Sequence, residues 1–190
     1  MLKIVGGKHR GRAIEAPEGQ ATRPTASRAR EALFNILVHA NWRADGTSPL
    51  IDVRVLDAFA GSGALGLEAL SRGAAHVRFV EKDRRAASAI DTLISEWQET
   101  GAQVTCADAL GWLAQSAGGA PFDIVFLDPP YDAALLSQVA GALTRGALLA
   151  PDARIYVEHR AREGLPEMPA GWQQIRDGRA GEVGYHLFAV

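Results

Sequence analysis

One cysteine, Cys106, is the whole thiol content of this 190-residue chain. An internal disulfide framework is therefore excluded, and a lone thiol on an apolar stretch reads as inert packing in a reducing compartment. No run of 18 apolar residues occurs, which excludes a membrane-spanning helix. The opening Met1-Leu2-Lys3-Ile4-Val5-Gly6-Gly7-Lys8 lacks the apolar core of a secretory signal, so a cytoplasmic protein is expected. The five histidines, His9, His39, His76, His159 and His186, fall at no metal-ligand spacing and have no cysteine cluster beside them. No metal site is expected. Internal repeats and low-complexity tracts are also missing.

What is present begins with a charge asymmetry. Up to Pro49 the chain has eight basic and four acidic residues, a net +4; the remainder has twelve basic and eighteen acidic, a net −6. A basic segment on an acidic body suits a polyanionic partner touched mainly by one end of the chain. On charge alone, arginines that merely solvate a mobile arm fit equally well.

Periodicity divides the chain at the same place. The first two dozen residues are rich in Gly, Pro and basic residues, and fit either a short hairpin around Gly6-Gly7 or an arm ordered on binding. Pro24-Thr25 opens an amphipathic helix over 27–40, with Ala29, Leu33, Ile36, Leu37 and Ala40 at helical spacing. Residues 45–49 read as a linker. Thereafter strands (53–56, 76–80, 103–106, 124–127, 154–158) alternate with helices (62–72, from Ala86 to Trp97, 110–114, and the Leu136-to-Leu143 stretch). The tail, 172–176 and 185–189 about Asp177-Gly178, reads as an antiparallel hairpin. The division expected is an arm and helix over 1–49 and a domain of alternating strands and helices over 50–190. Its fold class is α/β: a mostly parallel sheet covered by helices on both faces.

Two motifs carry chemistry. Asp57-Ala58-Phe59-Ala60-Gly61-Ser62-Gly63-Ala64-Leu65-Gly66 follows the first strand of this unit and opens a helix. Its glycines allow close backbone approach to a ligand, and Glu81, about 20 residues on, suits ribose hydroxyls. A nicotinamide dinucleotide and S-adenosylmethionine both satisfy that pattern. Asp57 favours the second, since a carboxylate there attracts a cationic amino-acid moiety and repels a pyrophosphate. Asp128-Pro129-Pro130-Tyr131 ends the apolar run Ile124-Val125-Phe126-Leu127. The prolines fix an extended turn and remove two N–H donors, leaving the Asp128 carboxylate and the Pro129 carbonyl as acceptors. Such acceptors hold the hydrogens of an aromatic amine and draw its nitrogen toward a tetrahedral, nucleophilic form, while the Tyr131 ring stacks on the base.

These residues resemble the class I methyltransferase family. The resemblance implies a Rossmann-like domain with a seven-stranded, mostly parallel sheet and a terminal antiparallel hairpin. It also implies S-adenosylmethionine as cofactor, held by Asp57, Phe59, Gly61, Ser62, Gly63 and Glu81. Asp108 falls where the family contacts the adenine amine, although a helix N-cap suits it equally. Asp128, Pro129, Pro130 and Tyr131 match the amino-methylating motif, with Asp in place of the commoner Asn.

The N-terminal segment narrows the resemblance. Gly6-Gly7, Arg10-Gly11-Arg12, Arg23-Pro24-Thr25, Arg28, Arg30-Glu31 and Leu33-Phe34-Asn35 are similar to the signature of the RsmD group. That likeness implies methylation of a guanine N2 amine in 16S rRNA, on the RNA or on an assembly intermediate of the small ribosomal subunit. Arg10, Arg12, Arg23, Arg28 and Arg30 are then the expected RNA contacts. The rivals are a DNA adenine-N6 or cytosine-N4 methyltransferase, a protein-glutamine methyltransferase, and a non-catalytic RNA-binding assembly factor.

Overall fold

The computed structural model describes residues 2–14, 24–39, 48–130 and 133–190, with backbone only at 24–29 and 39. Two short strands, β1 (Leu2–Lys3) and β2 (Ala13–Ile14), pair antiparallel, so the N-terminal segment takes the hairpin alternative. Helix α1 (Pro24–His39) follows. Then come β3 (Arg54–Asp57), α2 (Ala64–Ser71), β4 (His76–Glu81), α3 (Arg84–Glu96), β5 (Ala102–Cys106), α4 (Ala109–Gln115) and β6 (Phe122–Leu127). Helix α5 (Ala133–Arg145) and strands β7 (Leu149–Arg160), β8 (Gln173–Ala180) and β9 (Val183–Ala189) complete the chain.

Seven strands form one sheet in the order β5-β4-β3-β6-β7-β9-β8. The pairs from β5 to β7 are parallel, whereas β9 runs antiparallel to both β7 and β8. The α/β architecture expected above is the one observed. Two apolar layers cover the sheet. Leu33, Phe34 and Leu37 of α1, Leu67 and Leu70 of α2 and Ile90 of α3 pack with Val55, Phe79, Phe126 and Tyr156 on one face. On the other, Leu113 of α4 and Leu136, Val139 and Leu143 of α5 pack with Leu56, Val80, Val125 and Val157.

Local chemistry explains the element ends. Asp83 caps α3 by accepting from the Ala86 N–H at 2.9 Å, and Asp108 caps α4 by accepting from the Gly111 N–H at 2.8 Å. Gly66 lies where α2 crosses β4: an added Cβ would stand 2.2 Å from the Phe79 ring. Expectation and structure part at the tail, where the turn is at Gly181-Glu182 and not at Asp177-Gly178. Asp177 and Gly178 pair inside the ladder with His186 and Tyr185. The glycine serves packing there, since a Cβ would come within 2.2 Å of the Tyr185 hydroxyl.

The basic N-terminal segment is clamped to the body. Val5 and Gly6 donate their N–H groups to the two oxygens of buried Glu68, each at 2.8 Å, and Arg72 donates to the same carboxylate at 2.7 Å. The His9 N–H donates to the Ser71 hydroxyl at 2.9 Å, and the Lys8 N–H to the Ser71 carbonyl at 2.8 Å. Gly7, at φ +78°, allows this approach, because a Cβ would overlap the Ser71 carbonyl. Leu2, Ile4 and Ile14 join the core shared by α1 and the sheet.

Candidate active site

The sheet reverses strand order at β3, whose neighbours are β4 and β6. Ligands of open α/β sheets sit at the carboxyl ends of strands beside such a point. Here the glycine loop and the Asp128-Pro129-Pro130 turn leave neighbouring strands side by side: Asp57 pairs with Phe126, and the Ala58 N–H donates to the Phe126 carbonyl at 3.1 Å.

Strand alternation makes this edge acidic. Val55, Phe79, Phe126 and Tyr156 all face α1–α3, and the residue two further along each chain shares that face. Those residues are Asp57, Glu81, Asp128 and Glu158. Four adjacent strands, β4-β3-β6-β7, thus deliver a row of carboxylates to one end of one sheet face.

The row is held by backbone as well as by position. Asp57 is 2% exposed and accepts from the Gly66 N–H at 2.9 Å. Burial pushes its carboxyl up to about 7; the Gly66 hydrogen bond opposes the shift and the Glu81 charge adds to it. Glu81 accepts from the Gly61 N–H and from the Asp83 N–H, both at 2.7 Å, which shapes the glycine loop around this carboxylate. Asp128 is exposed at the end of β6. The protein around it nevertheless holds its carboxyl well above the usual range, through desolvation first, then the charges of Glu158 and Asp57. Glu158 is raised by burial too and accepts from the Tyr156 hydroxyl at 2.7 Å. Burial, with Glu158 next, raises the Tyr156 phenol, so it remains a donor.

This arrangement discriminates between the two adenosine-bearing ligands that the glycine loop suits. Burial, with a smaller contribution from the Glu81 charge, disfavours the ionised form of Asp57, and a cation placed beside it would favour that form. A sulfonium and an ammonium fit that field, and a pyrophosphate does not. The described residues therefore fit S-adenosylmethionine, with Asp57 and Glu81 beside the glycine loop as the groups to hold it.

Other candidates fall as follows. Phe59 and Ser62 are half-buried in the loop, and Gly63 takes φ +75° at the start of α2. Asp108 is the N-cap of α4, its Oδ1 engaged by Gly111. Pro129 is buried beside the site and Pro130 is exposed. Tyr131, Arg23 and the side chain of Arg28 lie outside the described residues. Arg10 and Arg12 are exposed, and Arg12 lies 5.5 Å over the Trp97 ring. Their loop is docked at the C-terminal ends of α2 and α3 through Ser71, Trp97 and Glu99, whereas the carboxylate row lies at the C-terminal ends of the strands.

Arg30 requires correction as an RNA contact. It is 5% exposed; its guanidinium donates to the Lys3 carbonyl at 2.7 Å and lies 3.9 Å from Glu68. It locks the hairpin to α1 and is buried. Sequence reasoning missed Glu68 and Glu158. A lone carboxylate in the apolar run of α2 was the available signal for Glu68. The end of a parallel strand, already used for Asp57 and Glu81, was the signal for Glu158.

Fold and site together define a Rossmann-like protein of the class I methyltransferase type. Comparison with known proteins narrows this. The model of the family described as Conserved hypothetical protein 95 matches residues 2–189. Ribosomal RNA small subunit methyltransferase D of Escherichia coli (strain K12) is 40% identical over 187 residues, covering 98% of this chain and 89% of that one. The Haemophilus influenzae protein of the same name is 34% identical over 189 residues, with 98% and 93% covered. The solved structure of the Escherichia coli protein yhhF superposes with a TM-score of 0.87 at 38% identity, covering 99% of this chain and 97% of that one. The chain belongs to the Conserved hypothetical protein 95 family, that of the RsmD-type methyltransferases, as its N-terminal signature and catalytic motif led us to expect.

Proposed function

We propose that this protein transfers a methyl group from S-adenosylmethionine to the N2 amine of a guanine in 16S rRNA of the small ribosomal subunit. The observation that carries the reading is the row of four carboxylates on one sheet face, with the glycine loop at one side and the Pro-Pro turn at the other. Asp57 and Glu81 answer to a cationic cofactor with a ribose; Asp128 and Pro129 answer to an aromatic amine. The relatives named for small-subunit rRNA methylation point to the substrate, and the motif points to an exocyclic nitrogen.

When bound beside Asp57 and Glu81, the cofactor would supply a methyl activated by its sulfonium, the C–S electron pair being left on sulfur as the methyl passes to nitrogen. The base leaves its stack to enter the cleft, as enzymes acting on base atoms generally require. The Asp128 carboxylate and the Pro129 carbonyl accept the two amine hydrogens and fix the nitrogen's direction of approach. Methylation makes that nitrogen cationic and acidic, and the Asp128 carboxylate, already hydrogen-bonded to it, accepts the released proton. Most of the acceleration then comes from positioning. Tyr131 stacks on the base. Arg10 and Arg12 contact phosphates away from the reacting base; α2 alone is about 12 Å long at 1.5 Å per residue, so the RNA footprint spans well beyond one nucleotide.

Labelled cofactor is offered with naked small-subunit rRNA, assembled small subunits and duplex DNA, followed by nucleoside analysis of the product. N2-methylguanosine from either RNA substrate is the expected result. Label in adenine or cytosine of DNA, or no transfer at all, overturns the reading.

A further inference from the structure

We propose that Glu158 reads the target base by accepting the hydrogen on guanine N1, next to the N2 amine that is methylated. The inference rests on the guanine reading above and assigns it a specificity-determining residue.

Amine activation at this edge uses two acceptors, the Asp128 carboxylate and the Pro129 carbonyl, for two amine hydrogens. Glu158 is a further acceptor on the same sheet face. It lies on the strand next to Asp128, in register with the β6–β7 pair Leu127–Val157. Pro129 and Glu158 also border one crevice of about 10 Å³ with Leu136 and His159, which brings the two residues together without itself being a pocket for a base. At its rim Arg160 stands 3.6 Å from Glu163. The Tyr156 hydroxyl holds Glu158 Oε1 at 2.7 Å; among the described residues, no group donates a hydrogen bond to Oε2. A neutral acceptor would satisfy the tyrosine at smaller desolvation cost. A carboxylate whose second oxygen is directed by Tyr156 fits a ligand with one more hydrogen to give.

The three amine-bearing bases differ in the atom beside the amine. Guanine has N1–H, a donor. Adenine N1 and cytosine N3 carry a lone pair there, which an anionic oxygen repels. The three acceptors at the ends of adjacent strands β6 and β7, on Asp128, Pro129 and Glu158, match the three hydrogens of guanine N1 and N2. Sites that hydrogen-bond a substrate N–H reject analogues lacking it far more strongly than apolar pockets reject a missing methylene. Tyr156 is in this scheme a positioning residue.

The test first maps the methylated nucleotide with wild-type enzyme by nucleoside and fragment mass spectrometry. Small-subunit particles are then reconstituted on ligated rRNA with guanine or 2-aminopurine at that nucleotide. 2-Aminopurine keeps the amine, replaces N1–H by a lone pair and also lacks O6, so the change of preference in the Glu158 variant is what isolates the N1 contact. Wild type is expected to prefer guanine by about 100-fold or more in kcat/KM. Glu158→Gln retains an acceptor for the Tyr156 hydroxyl, which protects the fold. This variant is expected to lose about 10–100-fold in kcat/KM on guanine, and its preference for guanine over 2-aminopurine falls by a similar factor. Equal losses on both bases, with preference intact, would mean a structural role and overturn the proposal; so would a wild type indifferent to the base. A methyl found on any base or atom other than guanine N2 sinks the underlying reading at the mapping step, before any variant is measured. Tyr156→Phe frees Glu158 and is expected to lose part of the preference with a smaller change in kcat; full preference in that variant would remove Tyr156 from the scheme.

Discussion

Replacing Asp57 by asparagine is expected to make the protein more stable at pH 8 and worse at holding its cofactor. Asp57 is fully buried, and its carboxyl is raised from 3.8 to about 7. The native state therefore keeps a proton that the unfolded chain has already released. Between about pH 4 and 7 the unfolded state binds fewer protons, so wild-type stability declines as pH rises through that window. The full shift of roughly three units corresponds to about 4 kcal/mol, at 1.36 kcal/mol per unit. Asparagine retains an oxygen to accept the Gly66 N–H and carries no charge to bury. Allowing for its unmatched amide hydrogens, a net gain of about 1–3 kcal/mol at pH 8 is expected, against little change near pH 4. In a chain of this size that gain raises Tm by several degrees, at about 2–4 °C per kcal/mol. Thermal melts of both proteins from pH 4 to 8 read it directly. Calorimetry at pH 8 with S-adenosylmethionine reads the other half: loss of the anion weakens binding by about 1.5–3 kcal/mol. A variant less stable than wild type at pH 8 would refute the burial argument. One that binds cofactor like wild type would take Asp57 out of the site.

Glu81→Ala removes the acceptor of two loop N–H groups along with the ribose partner, and is expected to weaken cofactor binding by about 1–3 kcal/mol in the same calorimetric assay. Asp128→Ala should lower kcat about 10²–10³-fold, and Asp128→Asn less, because an amide oxygen still accepts one amine hydrogen; single-turnover rates at saturating cofactor check this. Arg10→Ala with Arg12→Ala should flatten the salt dependence of RNA binding, by about 0.7–0.9 in slope per lost phosphate contact, with cofactor affinity unchanged. An unaltered slope would move the RNA surface elsewhere on the molecule. Gly66→Ala should destabilise the fold by about 1–3 kcal/mol through overpacking against Phe79, read as a fall in denaturation midpoint.

Asp57, Glu81 and Asp128 are legible in the sequence because each ends a recognisable strand beside a glycine loop or a proline turn. Local chemistry marks such positions, since strand, loop and helix start are consecutive in the chain. Glu158 follows the same rule at the end of β7, but no special turn flags it, and its meaning comes from Asp128 on the neighbouring strand. Arg30 shows the converse limit. Its place in a run of basic residues suggests solvent and phosphate, yet helical phase turns it inward to the Lys3 carbonyl and Glu68.

By itself the sequence determined the alternation of strands and helices, the glycine loop, the acceptor-rich turn and the family likeness. All of these are written in residues close together in the chain, where periodicity and turn chemistry act. Tertiary structure alone decided that four carboxylates from four strands share one sheet face, that the basic hairpin docks through Glu68 and Ser71, and which arginines remain at the surface. Those facts depend on strand order, register and burial, which bring together side chains far apart in the chain and set the desolvation that raises Asp57 and Asp128.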